Sequence, residues 1–158
     1  MTLLVQKFGG TSLGSIERIK AVAQKIKSSK EKGNDLVVVV SAMGHTTDEL
    51  TQLVSEITSD PPYREMDMLL STGEQVSISL LTMALHELGI PTISLTGTQA
   101  GIITESAHGR ARILEIRTER IKSLLEQGKT LVIAGFQDFP EHLINVPKAI
   151  LLIDQLKL

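Results

Sequence analysis

Three short segments bring together residue types that can handle a small charged molecule. The first is Lys7-Phe8-Gly9-Gly10-Thr11-Ser12. An apolar run there ends in two glycines and a helix start, which leaves backbone N–H groups without partners in a region of positive potential. Such an arrangement cradles anions, phosphates above all. Gly9 and Gly14 come close to P-loop spacing, but Ser15 stands where that motif needs lysine, and the G-x-G-x-x-G pattern is absent. The cation precedes the glycines instead, at Lys7. An edge-strand lysine followed by a plain turn fits the same spacing.

The second segment is Ser41-Ala42-Met43-Gly44 with Thr46-Thr47. It follows the apolar run Leu36–Val40, and ligands of open α/β sheets bind beyond the carboxyl ends of strands. The hydroxyls of Ser41 and Thr47 can orient a carboxylate or an ammonium; equally, Ser41 suits a turn and Thr46 a helix cap. The third is Glu74, about 40° from Leu70 on a helical wheel and so inside an apolar stripe. Gly73 beside it permits close approach. A carboxylate turned inward must find a cation or hydrogen-bond donors. Either Glu74 receives a substrate ammonium, or its helix rotates enough for it to reach solvent. His45, His86, His108 and His142 have no metal-ligand spacing and read as surface residues, and Asp35, Asp48 and Asp67 stand in no distinctive pattern.

These residues need elements to hold them. Leu3–Phe8 reads as a strand closed by Gly9-Gly10. Ile16, Ile19, Val22, Ala23 and Ile26 recur at helical spacing up to Gly33-Asn34. Leu36–Val40 is β-branched, short and bounded by turn residues, the pattern of a strand buried on both faces. Thr46 and Glu49 have capping-box spacing ahead of a stripe at Leu50, Leu53, Val54 and Ile57, and Asp60-Pro61-Pro62 breaks that helix. A long helix runs from Tyr63 to Leu88, with Gly89 and Pro91 as its stop signals. Thr92–Leu95 and Gly101–Thr104 are short strands, Leu114–Leu125 reads as helical with Gly128 past its end, and Leu131–Ala134 is a buried strand closed by Gly135. This alternation predicts an α/β fold with a largely parallel sheet and flanking helices.

Composition narrows the chemistry. The 158 residues are 42% hydrophobic and 22% charged, enough for one core. With 16 Lys+Arg against 18 Asp+Glu there is no basic surplus to displace counterions, and 3% aromatic residues offer few stacking platforms, so nucleic acid is an unexpected partner. No cysteine is present, which excludes disulfides and thiolate chemistry in these residues. The N-terminus lacks a signal-peptide pattern and no uninterrupted run approaches the roughly 18 apolar residues of a spanning helix, so the expectation is a cytoplasmic chain that engages no membrane.

Taken together and in order, Lys7-Phe8-Gly9-Gly10-Thr11-Ser12, Val39-Val40-Ser41-Ala42-Met43, Thr46-Thr47-Asp48-Glu49-Leu50, Ser71-Thr72-Gly73-Glu74, Thr96-Gly97-Thr98-Gln99-Ala100-Gly101 and Ala134-Gly135-Phe136-Gln137 closely resemble the motifs of aspartate kinases, within the amino acid kinase family. The resemblance covers residues 1–137 and implies an incomplete amino acid kinase N-terminal lobe. It implies transfer of the ATP γ-phosphoryl, with Mg2+, to the side-chain carboxylate of L-aspartate, the entry step of lysine, threonine and methionine synthesis. By the same resemblance Lys7 neutralises the transferring phosphoryl, Phe8, Gly9 and Gly10 line the nucleotide's phosphates with Gly9 and Gly10 donating N–H groups, and Ser41, Thr47 and Glu74 hold aspartate, Glu74 through its ammonium. Such chemistry asks for positioning and charge neutralisation more than for a base, because the nucleophile is already anionic.

After Gln137 the resemblance stops. The family continues through an Arg-Gly-Gly-Ser-Asp-Thr segment and a nucleotide-binding half, and residues 138–158 read as a divergent, glycine-free tail. The expectation is therefore a shortened kinase chain, weakly active or inactive alone. Its rival is a non-catalytic fragment that associates with a complementary or full-length kinase chain, and a homo-oligomer is a further expected assembly.

Overall fold

The structure, a computed structural model, describes residues 2–105 and 113–135. The readings at His108, Phe136, Gln137 and His142, and over the tail 138–158, lie outside the described residues.

Four strands form one parallel sheet in the order β1-β2-β6-β3: β1 (Leu3–Phe8), β2 (Asp35–Val40), β3 (Thr92–Leu95) and β6 (Thr130–Ala134). A separate antiparallel ribbon pairs β4 (Ile102–Thr104) with β5 (Ile113–Ile116). The helices are α1 (Ile16–Glu31), α2 (Thr46–Ser55), α3 (Tyr63–Glu87) and α4 (Glu119–Glu126).

β2 is central, and Leu36 through Val40 are all at 0% exposure because both faces of the sheet are covered. Successive side chains alternate between those faces. Leu36, Val38 and Val40 meet Ile19, Val22 and Ile26 of α1 and Ile78, Leu81 and Leu85 of α3. Val37 and Val39 meet Ile121 and Leu124 of α4, together with Leu95 and Ile102. Each such aliphatic side chain contributes about 1.5–3 kcal/mol of burial.

The α1 start is built locally. Ser15, in extended conformation, accepts the Arg18 N–H on its hydroxyl at 3.3 Å, a side-chain N-cap. The same Ser15 hydroxyl holds the exposed Glu17 carboxyl below its ordinary pKa. Gly33, Gly89 and Gly128, the expected stop residues, all have positive φ.

Three expectations need correction. The segment read as one helix from Leu114 to Leu125 begins instead as strand β5, which pairs with β4 from Ile102↔Ile116 to Thr104↔Ile113. Only Glu119–Glu126 is helical. The non-local ribbon overrides the helical spacing. Thr46 does not cap α2: the Thr46 N–H donates to Met43 O, helix geometry begins one residue earlier than the box requires, and His45 occupies the cap position without a side-chain bond. The helix read up to the Asp60-Pro61-Pro62 break ends at Ser55, so Ile57 lies outside it at 85% exposure, while within α2 Leu50 and Val54 are half-buried and Leu53 is 56% exposed. One described helix, α3, is long and apolar enough by composition to cross a membrane, and in this fold Ile78, Leu81 and Leu85 of α3 belong to the core.

Candidate active-site edge

The parallel strands deliver their carboxyl ends to one edge of the sheet, and short backbone links fasten the loops there. Beyond β1, Gly9 leads into a 3-10 turn, Gly10–Leu13, anchored by the buried Leu13. Beyond β2, the Ser41 N–H donates to Phe8 O at 3.2 Å and the Gly44 N–H to Gly10 O at 2.9 Å. Beyond β6, the Gly135 N–H donates to Val40 O at 2.8 Å.

Small residues are required for this proximity. A Cβ on Gly10 would stand 2.6 Å from Ala42 O, and one on Gly135 3.0 Å from Val40 O. A methyl group on Gly73 would meet Ala42 Cβ at 3.1 Å and Thr46 Cγ2 at 3.3 Å. That last contact seats the middle of α3 against the loop after β2.

Glu74 is therefore held at this edge by its neighbour, and it is 2% exposed. The wheel expectation that it turns inward holds, and the alternative that it reaches solvent does not. Ser77, also buried, donates its hydroxyl to Gly73 O at 3.3 Å.

The other residues are placed less tightly. Ser41 is half-buried and Thr47 exposed, with Thr47 O accepting the Thr51 hydroxyl at 2.8 Å. Lys7 is exposed on β1, whose one strand neighbour among the described residues is β2. Leu4 and Phe8 pack on the α1–α3 side, and Leu3 and Val5 on the α4 side. Alternation then places Lys7 with Leu3 and Val5, on the face opposite α3. Lys7 is thus an exposed amine on an edge strand of the sheet. Phe8, Gly10, Ser41 and Gly44 are joined by backbone bonds, and Gly73 brings the neighbouring Glu74 to the same edge, while Lys7 and Thr47 are exposed and Lys7 lies on the face opposite α3.

His45 and His86 are exposed; the His45 ring lies 3.3 Å from an Asp48 carboxylate oxygen, and His86 Nε2 lies 2.8 Å from Thr92 O. Among the described residues no group of three or more His, Asp or Glu side chains is arranged to hold a metal ion.

One feature of the edge is not legible in the sequence pattern. Arg18 Nη1 donates to Thr11 O at 2.6 Å, tying the first turn of α1 to the glycine turn. Its one local signal is the Ser15 cap three residues before it.

Comparison with known proteins identifies the family and the fold. The model of the amino acid kinase family matches residues 2–151. The aspartokinase of Bacillus sp. (strain MGA3) is 62% identical over 142 residues, covering 90% of this chain and 34% of that protein. The aspartokinase of Geobacillus stearothermophilus is 60% identical over 141 residues, 89% of this chain and 35% of that one. The chain thus spans about a third of the length of the curated relatives it matches. Among solved structures, aspartate kinase from Synechocystis superposes with a TM-score of 0.74 at 54% identity, over 92% of this chain and 23% of that one. E. coli aspartokinase III, solved with aspartate and ADP, shares the fold at a TM-score of 0.68 and 18% identity, over 86% of this chain and 41% of that one.

Proposed function

The chain belongs to the amino acid kinase family, and from that premise we propose that residues 1–137 form the acceptor-holding and phosphate-gripping lobe of an aspartate kinase. The reaction is transfer of the ATP γ-phosphoryl to the side-chain carboxylate of L-aspartate, feeding lysine, threonine and methionine synthesis in the cytoplasm. The observation that carries the reading is the edge itself. The Gly9-Gly10 turn and the Ser41–Gly44 loop are joined by backbone bonds, and Glu74 lies buried one residue from the Gly73 contact with that loop.

In this reading Gly9 and Gly10 donate N–H groups to the nucleotide's phosphates along Phe8. Lys7, long and exposed, reaches around the strand end to neutralise the transferring phosphoryl. Ser41 and Thr47 orient the acceptor, and Glu74 receives its ammonium. An ammonium on a nearly buried carboxylate is a charge-assisted contact in a medium less polar than water, where it counts for more. Magnesium comes with ATP; with no carboxylate cluster in the described residues, the reading assigns it no protein ligand.

The 158 residues hold no Arg-Gly-Gly-Ser-Asp-Thr segment. Preorganised charges of that kind typically supply factors of ~100 or more in rate each. Aspartyl phosphate formation by this chain alone is accordingly expected to fall at least ~100-fold below that of a full-length relative.

Substrate choice tests the reading directly. Calorimetric titration of the purified chain with L-aspartate, L-glutamate and N-acetyl-L-glutamate is expected to give the tightest binding for L-aspartate. N-acetyl-L-glutamate should bind worst, because acetylation removes the ammonium. Equal affinities, or a preference for the acetylated acid, would overturn the assignment of Ser41, Thr47 and Glu74.

A second reading rests on β1. Its Leu3, Leu4, Val5 and Phe8 are only half-buried, and its outer edge has no strand partner among the described residues, an arrangement that invites another strand. This favours a non-catalytic fragment that associates with a complementary kinase chain, or with a second copy of itself. Sedimentation of the chain alone and with a full-length relative distinguishes the two assemblies from a monomer.

A further inference from the structure

The carbonyl groups of Gly9, Gly10 and Thr11 are each taken by a different donor. Gly9 O accepts the Ser12 N–H at 3.0 Å, Gly10 O accepts the Gly44 N–H at 2.9 Å, and Thr11 O accepts Arg18 Nη1 at 2.6 Å. In a trans peptide the carbonyl of one residue and the N–H of the next point in opposite directions. Turning the Gly9 and Gly10 carbonyls onto their partners therefore turns the N–H groups of Gly10 and Thr11 the other way, and fixing Thr11 O fixes the far end of the same turn.

Two of the three ties are backbone bonds that any sequence with this turn can make. The third is a side chain. Thr11 and Ser12 are exposed and border a groove of about 290 Å³ also lined by Phe8, Val22, Lys25 and Arg18 itself, so on that side the turn is held by this one side-chain tie. Arg18 is well placed to supply this tie. Its backbone N–H is committed to the Ser15 cap, and among the described residues no carboxylate forms a salt bridge with its guanidinium.

We propose that Arg18 is a positioning residue for phosphate binding, holding the 9–12 turn through the Thr11 carbonyl so that its amides meet the nucleotide's phosphates preorganised. The inference rests on the phosphate-gripping reading of residues 7–10. Donors fixed before the ligand arrives need no reorganisation on binding, which is why a residue that touches no ligand can control affinity.

The test compares the full 158-residue wild-type chain with R18K, R18Q and K7M, measuring affinity for ATP with magnesium, affinity for L-aspartate, and thermal midpoint. R18Q is expected to bind ATP at least ~10-fold more weakly while its aspartate affinity stays within ~2-fold of wild type. R18K, which keeps a charged N–H donor, is expected to recover most of the loss. If R18Q binds ATP like wild type while K7M does not, Arg18 has no positioning role and the phosphate reading stands. If R18Q loses ATP, aspartate and thermal stability together, the residue is merely structural and the inference fails. If wild type and K7M have equal ATP affinity, or neither binds, the phosphate reading itself falls.

Discussion

Glu74→Gln is expected to weaken L-aspartate binding by ~100-fold, about 3 kcal/mol, without unfolding the protein. Glutamine keeps the volume of a side chain that is 2% exposed, so packing around Gly73 and Ser77 is retained, while the charge that receives the ammonium is lost. The cause is separable from general damage by choice of ligand. Wild type should prefer L-aspartate to N-acetyl-L-aspartate strongly, because acetylation removes the cationic partner. In Glu74→Gln that preference should nearly vanish, since the carboxylate that distinguishes an ammonium from an acetylated amine is gone. Calorimetry with both ligands on both proteins closes a double-mutant cycle in which one substitution is on the ligand. Additive losses would mean that Glu74 and the ammonium do not meet.

The second large effect belongs to Gly10. Its Cβ position is 2.6 Å from a backbone oxygen, Ala42 O, and 3.3 Å from another, Gly44 O. Neither atom can move aside as the tip of a flexible side chain can, so Gly10→Ala must push the glycine turn off the loop after β2. Overpacking of this kind costs about 1–3 kcal/mol. The midpoint of thermal unfolding should fall by roughly 3–10 °C in a chain of this length, and the Gly44 N–H to Gly10 O bond should weaken with it. Gly9 is the internal control: nothing lies within 4 Å of its Cβ position and its φ is -76°. Gly9→Ala is expected to leave the midpoint almost unchanged. A Gly10→Ala protein as stable as wild type would show that the two loops do not meet as described.

How much of this was legible in the sequence depends on the range of the forces involved. β2 and β6 were readable because strands buried on both faces must be continuously apolar, and Leu36–Val40 and Leu131–Ala134 are. Helix periodicity puts Glu74 inside the apolar stripe of α3 but leaves a small rotation toward solvent open, and its 2% exposure decides for the inward turn. The strand identity of Ile113–Ile116 was not readable, because its pairing with Ile102–Thr104 is non-local and the spacing of its apolar residues also suits a helix. Neither was the exposure of Ile57 and Leu53, since an amphipathic stripe does not say whether anything covers it.

The glycines divide in the same way. Gly33, Gly89 and Gly128 announced helix ends by position, and their positive φ values agree. The demand on Gly10 comes instead from a loop more than thirty residues away, and no local pattern carries it. Arg18 was missed for the same reason: its partner is a carbonyl seven residues back across a turn, and carbonyls are on every residue.

The central claim is that one sheet edge presents the Lys7 amine and the Gly9-Gly10 amides to a terminal phosphate, and Glu74 to an amino acid. A crystal structure of the chain soaked with L-aspartate and a non-hydrolysable ATP analogue tests it most directly. The account predicts Lys7 Nζ and the Gly10 N–H each roughly 3 Å from γ-phosphate oxygens, with the aspartate ammonium on Glu74. Analogue bound elsewhere, with Lys7 in solvent and no ammonium at Glu74, would contradict it.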